Sequence, residues 1–377
     1  MSDSQSHFNV MKNIQRHISQ LKQWYPERVI IAVGEYPSEI LLNSETTTGS
    51  NAPILVLIGK TSEDVVKLNT QIANLCNVID INTEDAMHFW YSIFHELENN
   101  DSFNIQLKNC FLHKVHNAVI LSSAWDGIGS GVLPLLTAKL KSWGVKSMVL
   151  TVLPSKVQPT VAHFNALSSV GLEASEGDSP ILLIDRECLE NYVGVNRKGS
   201  IVKGKVAAND ILELLFARKT LVDELISLSR SFYSKFFALL LSTGASLRIY
   251  GSLENMFRTA LLRPLVKFDL SKVSVLYALL RIPVHLRDKL PKEEIELVIA
   301  DWFKDSSNLK SIQVCEPIYV DDFSDRVDVI MFVGGFGLGD IFAPISQKVI
   351  KLKNDAVKKG FMSEDLWRNI ADELTES

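Results

Sequence analysis

The chain has 377 residues, with 39 lysines and arginines against 44 aspartates and glutamates, for a formal net charge of −5. With 46% hydrophobic and 22% charged residues, this balance excludes a strongly basic nucleic-acid binder, a collagen-like fibre and a largely disordered chain. At roughly 100–200 residues per domain, the length suits two or three domains.

Residues 8–24 place Val10, Ile14, Ile18 and Leu21 on one stripe at helical spacing, which predicts a leading helix. Strands follow at 28–34 (RVIIAVG) and 53–59 (PILVLIG), separated by the polar stretch 43–51, and then a helix at 62–76. The alternation continues with a strand at 77–81, a helix over about 84–97, a strand at 116–123, a helix from about 131 to 142 and a strand at 146–154. A polar hinge over 155–179 leads to the apolar run PILLIDR at 180–186. Continuous apolar runs of this length read as strands buried on both faces, and their alternation with helices specifies a parallel sheet covered on both sides. Residues 25 to about 187 thus predict a doubly wound α/β domain, whose ligands bind at the carboxyl ends of the strands.

From about 205 to 243 the pattern is helical throughout, including SRSFYSKFFALLLSTG. A strand at 272–283 and a helix opening on Pro291 come next. Two further strands, IQVCEPIYVDD and RVDVIMFVGG, are joined by a short turn around Phe323–Asp325 and predict a hairpin in an α+β second domain. An amphipathic helix at 363–374 closes the pattern.

Cys76, Cys110, Cys188 and Cys315 show no C-x-x-C spacing, which points away from a disulfide framework and toward a reducing compartment. No run approaches the ~18 apolar residues of a membrane span, and Met1 to His7 is polar. The expectation is a cytoplasmic protein with no nucleic-acid partner and no direct membrane insertion.

The candidate chemistry lies in 117–154, where a buried strand runs into Asp126-Gly127-Ile128-Gly129-Ser130-Gly131 and a helix opens. Glycines let backbone N–H groups converge on an anion, a helix N-terminus adds partial positive charge, and Ser130 adds a hydroxyl donor. A tight strand-to-helix turn with no ligand accounts for the same glycines.

Trp125 to Gly131, with Pro134 after it, resembles the signature loop G-G-G-T-G-S/T-G of the tubulin/FtsZ family. The strand end VLTVLP, closing on Pro154, is similar to that family's V-V-T-K-P. Val206-Ala207-Ala208-Asn209-Asp210-Ile211-Leu212 resembles the A-A-N-D-V-L that opens its long central helix. Phe268-Asp269-Leu270-Ser271 and VDVIMFVGGFG at 327–337 resemble two later motifs, so the collinear likeness spans roughly 28–340. The resemblance implies a Rossmann-like parallel-sheet GTPase domain with its leading helix (1–204), a central helix and degenerate catalytic loop (205–243), an α+β C-terminal domain (244–345) and a helical tail (346–377). It implies a divergent prokaryotic FtsZ-like chain, an archaeal source being one option. Its nucleotide site would use Gly34, Asp126, Gly127, Gly129, Ser130, Gly131, Pro154, Asn209 and Asp210, with GTP or GDP as ligand and Mg²⁺ only alongside it.

The departures from the family pattern are chemical. Where the family has a glycine run after its first strand, this chain has Gly34-Glu35-Tyr36-Pro37-Ser38; glutamate repels phosphate, and Pro37 removes an N–H donor. A second alignment moves that loop to Ile58–Ser62. Asp126 and Ile128 replace a glycine and a threonine, which leaves Asp126 to turn toward Mg²⁺, and Lys205 stands where an aromatic stacks on guanine. The family's ribose-contacting F-E-G stretch is absent from SKVQPTVAHF. Aligned on a helix ending at Leu241–Gly244, the family's N-x-D-x-x-D loop falls on Arg230, Phe232 and Lys235, so no catalytic residue is assigned. Arginine stays protonated and lysine normally does, so neither serves as a general base near neutral pH. They suit instead a neighbour's phosphates, or pairing with its Glu35 and Asp126.

The resulting expectation is a cytoskeletal or cell-division protein that self-associates head to tail, with weak or no GTP binding and little or no hydrolysis. The alternatives are an active polymerising GTPase and a non-polymerising scaffold or regulator. The C-terminal helix around Leu366, Trp367, Ile370 and Leu374 reads as an adaptor-docking element or as a cap on its own domain. Weaker signals are set aside. Gly59-Lys60-Thr61-Ser62 ends like a Walker A loop, but the upstream glycine would fall at Ile54 inside a strand. His113 and His116 lack a third metal ligand, and Gly334 to Asp340 has G-x-G-x-G spacing rather than a dinucleotide fingerprint. Phe232, Tyr233, Phe236, Phe237, Leu240 and Leu241 recur at helical spacing and read as core or as a subunit contact.

Overall fold

The structure, a computed structural model, describes residues 27–42, 53–59, 76–81, 89–111, 115–196, 198–303, 308–321, 324–360 and 362–375. The predicted helix at 8–24, nearly all of that at 62–76, the start of that at 84–97, Lys60 to Ser62, His113 and Phe323 lie outside these residues.

The apolar, largely β-branched runs form strands where periodicity places them: β1 (Glu27–Val33), β2 (Ile54–Ile58), β3 (Cys76–Ile79), β4 (Val115–Ser123), β5 (Lys146–Leu153) and β6 (Ile181–Asp185). Val29 to Val33 of β1 are 0% exposed, as a central strand of a doubly covered sheet requires. These six strands are parallel, in the order β3-β2-β1-β4-β5-β6, so their carboxyl ends share one edge. Helices between them are α1 (Glu35–Leu42), α2 (Trp90–Glu98), α3 (Asp101–Cys110), α4 (Gly127–Ser142) and α5 (Thr160–Glu176). After β6 come α6 (Arg186–Asn191), a ribbon of β7 (Val193–Val195) and β8 (Ile201–Lys203), and α7 (Gly204–Ala217).

The second half is α8 (Leu221–Phe232), β9 (Phe236–Ser246), α9 (Leu247–Tyr250), α10 (Leu253–Leu261), β10 (Val275–Pro283), α11 (Lys292–Phe303), β11 (Ser311–Val314), β12 (Ile318–Val320) and β13 (Arg326–Gly334). Short helices α12 (Leu338–Phe342), α13 (Ser346–Lys358) and α14 (Glu364–Thr375) follow. Among the described residues, one mixed sheet of 11 strands runs through both halves. β9 joins β6 in parallel through Ile181↔Phe236, Leu182↔Phe237 and Leu183↔Ala238, and β13 then lies antiparallel between β9 and β10. Side chains of α2, α4, α5, α10, α11 and α14 fill the core on one face, and those of α1, α7 and α8 fill the other.

Three expectations change. The segment 155–179, read as a polar hinge, contains α5, whose middle is buried from Ala162 through Ala174. A helix packed on both sides shows no polar stripe, and its small residues let neighbours approach: a Cβ on Gly171 would come within 2.9 Å of Ile370 Cγ2. The helix expected to run to 243 is two helices and a strand. α7 is only 14 residues, and α8 closes on Tyr233 with φ 53° before β9 begins. All 11 residues of β9 are buried, and a run covered on both faces looks the same as a buried helix in sequence. The hairpin does not form: β11 and β12 pair in parallel with one edge of β10, and β13 takes the other edge. α11 forms the crossover that makes that pairing parallel.

The C-terminal helix caps its own molecule. Trp367 stacks on Phe164 of α5 with ring centroids 6.1 Å apart, Phe164 stacks in turn on Phe89 at 5.7 Å, and Ile370 is 0% exposed. Lys353 of α13 pairs with Glu364 at 2.6 Å and lies over the Trp367 ring. Of the apolar face offered to an adaptor in the sequence, Trp367 and Ile370 are thus already covered.

Candidate anion site at the carboxyl ends of the parallel strands

β1 ends at Gly34, whose φ of +91° turns the chain directly into α1. A Cβ there would meet Ser123 Oγ at 2.5 Å, so glycine is required by close approach as well as by the turn. Ser38 returns its hydroxyl to Gly34 O at 2.6 Å, and Pro37 has no N–H. Gly34 N–H already donates to Ile58 O at 3.0 Å and Ser38 N–H to Gly34 O at 3.4 Å, so the first turn of α1 offers few backbone donors to a ligand.

At the end of β4 the chain turns through Ala124 and Trp125 to Asp126, the N-cap of α4. The Asp126 carboxylate accepts hydrogen bonds from its own helix, at Gly129 N, and from the Ser123 hydroxyl. Ser130 turns inward: its hydroxyl and its N–H both donate to Asp126 O, and the residue is 0% exposed. Gly129 and Gly131 are needed for packing. A Cβ would fall 1.9 Å from Ser123 O at the first and 2.6 Å from Trp90 O of α2 at the second. Ile128 packs over Gly59 at the end of β2, where φ is +85°. Burial pushes the Asp126 carboxyl up to about 6, opposed by the Ser123 and Gly129 hydrogen bonds, with Glu35 adding to the rise.

A cation–aromatic cluster flanks this loop. Trp125 meets Tyr36 edge-on at 5.2 Å, and the Arg186 guanidinium lies 5.2 Å from the Tyr36 ring and 5.0 Å from Trp125. Lys205, at the start of α7, stands 4.9 Å from the Tyr36 ring and pairs with Glu39. Arg186 pairs with Glu190 at 2.7 Å. Burial, with Glu190 nearby, pushes the Tyr36 hydroxyl up to about 12, so it stays a donor. Asn209 and Asp210 sit half-buried on α7, which packs against α1 around Pro37 and Ile40.

The structure thus brings Gly34, Asp126, Gly127, Gly129, Ser130 and Gly131 to one place, with α7 alongside. Pro154, after β5, lines a separate cavity shared with the second half of the molecule. Sequence reasoning overlooked Ser123, Tyr36, Glu39 and Arg186. An isolated tyrosine and arginine carry no spacing signal, although Ser123 closes the strand that leads into the loop.

The residues present do not fit a bound phosphate as they are arranged. A carboxylate already occupies the α4 N-terminus, and a second anion about 4 Å from it would meet roughly 4 kcal/mol of repulsion at an effective dielectric near 20. A helix terminus offers an anion only about 0.3–1 kcal/mol in return. Nor does Asp126 face outward, so it is not available to a neighbour's basic residues.

Arg230 and Lys235 lie at the opposite pole. Lys235 precedes β9, its carbonyl accepting from Ile181 N and its ammonium donating to Ala174 O at 2.7 Å; Arg230 pairs with Asp178 at 3.6 Å. The premise of a helix ending at 241–244 fails, since those residues are strand. The connection between α7 and α8 is 218–220, and two carboxylates follow it on α8. Against the opposing effect of burial, Lys146 and Asn117, at the start of β5 and β4, hold Asp223 below its ordinary range. Against the same effect, Arg218, Tyr277 and Thr220 hold Glu224 low. Among the described residues no group of three or more metal-ligating side chains is found, and no helix is long and apolar enough to cross a membrane.

No family profile matches the sequence, and no curated protein matches it. The fold, a mixed and mostly parallel sheet between two helical layers, matches that of solved CetZ structures. Among solved structures, CetZ1 from Haloferax volcanii, a GDP-bound monomer, superposes with a TM-score of 0.67 at 14% identity, covering 87% of this chain and 99% of that one. CetZ from Methanosaeta thermophila gives 0.66 at 14% identity over 92% of this chain and 97% of its own. CetZ2 from Haloferax volcanii, a GTPγS-bound protofilament, gives 0.63 at 17% identity over 89% and 100%. At these identities the likeness is one of fold.

Proposed function

We propose that this chain is a CetZ-like cytoskeletal protein of the cytoplasm that self-associates head to tail, with weak or no GTP binding and little or no GTP hydrolysis. The observation that carries this reading is the Asp126 carboxylate capping α4, in the loop that resembles the family's signature loop, within a fold whose structural neighbours include GTPγS- and GDP-bound proteins. Self-association is supported by a structural neighbour that is a protofilament, and by the polarity of the parallel sheet, which sets the Asp126 loop and the Arg230–Lys235 edge at opposite poles.

The test pairs nucleotide content with assembly. Purified protein, denatured and chromatographed, is expected to release far less than one GDP or GTP per chain, and its pelleting is expected to be independent of added GTP. Stoichiometric copurifying nucleotide, or phosphate release that rises with polymer mass, would sink the proposal. The GTPase alternative draws on Asp223 and Glu224, which lie at the pole opposite the loop, but Asp223 is engaged by a lysine and an amide and Glu224 by an arginine and two hydroxyls, which lower their basicity. Pelleting that never exceeds a monomeric control would favour the scaffold alternative.

A further inference from the structure

A cavity of about 770 Å³ opens where the two halves of the molecule meet, beyond the ends of β5 and β6. Its walls come from three places. Leu153, Pro154, His163, Asp185 and Tyr192 belong to the parallel half; Leu262 to Lys267 form the connection after α10; Ile341, Phe342 and Ile345 belong to α12 and the turn after it. The connection is fixed to β6 by a hydrogen bond from Asp185 N to Leu265 O at 2.6 Å. This volume lies in the range of small-molecule sites, about 300–1,000 Å³, and none of the signature-loop residues lines it.

The lining combines an apolar body with a cationic rim. Lys156, Arg263 and Lys267 surround it, and neither lysine has an ion pair among the described residues. Arg263 makes only a long contact, 3.4 Å, to Val193 O. Of the two acids, Asp185 is engaged as the N-cap of α6, accepting from Cys188 N at 3.0 Å, and Glu187 is exposed at the edge. His163, 9% exposed, is held below its ordinary range by burial, which leaves a neutral imidazole as donor or acceptor inside. Leu262 at the mouth is 77% exposed, a large apolar side chain with nothing covering it. We infer that this interdomain cavity is a binding site for a small amphipathic organic anion, its apolar body held against Leu153, Val266 and Phe342 and its charge held by Lys156 and Lys267. Because the ligand touches both halves, its binding stabilises their mutual packing.

The probe is 8-anilinonaphthalene-1-sulfonate, with neutral N-phenyl-1-naphthylamine as the same aromatic body lacking the anion. Full-length protein is expected to bind the sulfonate saturably at one site, at least tenfold more tightly than the neutral amine, with a rise in melting temperature. The double variant K156E/K267E, at two exposed positions, is expected to lose tenfold or more of sulfonate affinity and little affinity for the amine. Location is read independently from Cys188, which lines the cavity: its alkylation by N-ethylmaleimide, mapped by mass spectrometry, is expected to slow several-fold at saturating probe. Cys110, which does not line the cavity, is expected to react unchanged. Non-saturating fluorescence, equal affinity for the two probes, or sulfonate binding that spares Cys188 overturns the assignment.

Discussion

Glu173 is buried completely between α4 and α5, hydrogen-bonded by Thr137, and burial pushes its carboxyl up to about 8. It therefore stays protonated when the unfolded chain, with an ordinary carboxyl, has already ionised. Stability is fully retained below the unfolded value near 4.5, declines as pH rises toward 8, and is flat above it. Glu173→Gln is expected to raise the melting temperature at pH 8 and to match the parent near pH 4, the difference being on the order of a few kcal/mol. Melting curves across that range check it. Asp126 obeys the same sign over a lower window, and its charge opposes any second anion at α4. Nucleotide affinity is thus expected to strengthen as pH falls through about 6, and to increase at least tenfold at pH 7 in Asp126→Gly, measured with a fluorescent GDP analogue. Unchanged binding in that variant would show that the carboxylate is not what excludes phosphate. Tyr233 presents a third case: it is 94% exposed yet holds φ at 53°, a conformation costly for any side chain and natural for glycine. Tyr233→Gly is expected to leave stability level or higher by about 1 kcal/mol, and to reduce pelleting if this pole of the molecule takes part in assembly.

Elements differ in how far their residues reveal them. β1, β2, β4, β5 and β6 stand out because each is a short apolar run bounded by glycine, proline or polar residues. β9 is equally apolar, but it follows a true helix after only three residues, and its two faces feed different cores: Phe236, Ala238 and Leu240 go one way, Phe237, Leu239 and Leu241 the other. Nothing in its pattern distinguishes that from a buried helix. α5 was hidden for the opposite reason, since serines and glycines that suggest a loop are what allow α14 to approach it. The candidate site divides similarly. The glycine loop was legible, whereas the direction in which Asp126 points depends on Ser123 and Gly129, and only folding shows it. α14 offers the test of element packing. Trp367→Ala removes a ring stacked on Phe164 and is expected to destabilise by about 3 kcal/mol, with earlier proteolytic release of the C-terminal segment.

At the scale of the molecule, two joints between the halves stand out: β9 on β6, and α14 folding back on α5. The first joint is narrow, three residue pairs against seven between β4 and β5. The second clasps the last described helix to the middle of the parallel half. With both in place, calorimetry is expected to show one cooperative transition; a chain ending at residue 362 is expected to show the parallel half melting earlier and apart. Two resolved transitions in the intact chain would mean that the joints do not couple the halves. The clasp also imposes a schedule on the ribosome. The outer face of α5, with Phe164, is synthesised long before the helix that covers it, some 190 residues later between Glu176 and Ile370. At about 5–20 residues per second, that aromatic face waits on the order of 10–40 seconds for its cover. The nascent chain is then most in need of a chaperone midway through translation, well before the finished molecule has anything apolar left to hide there.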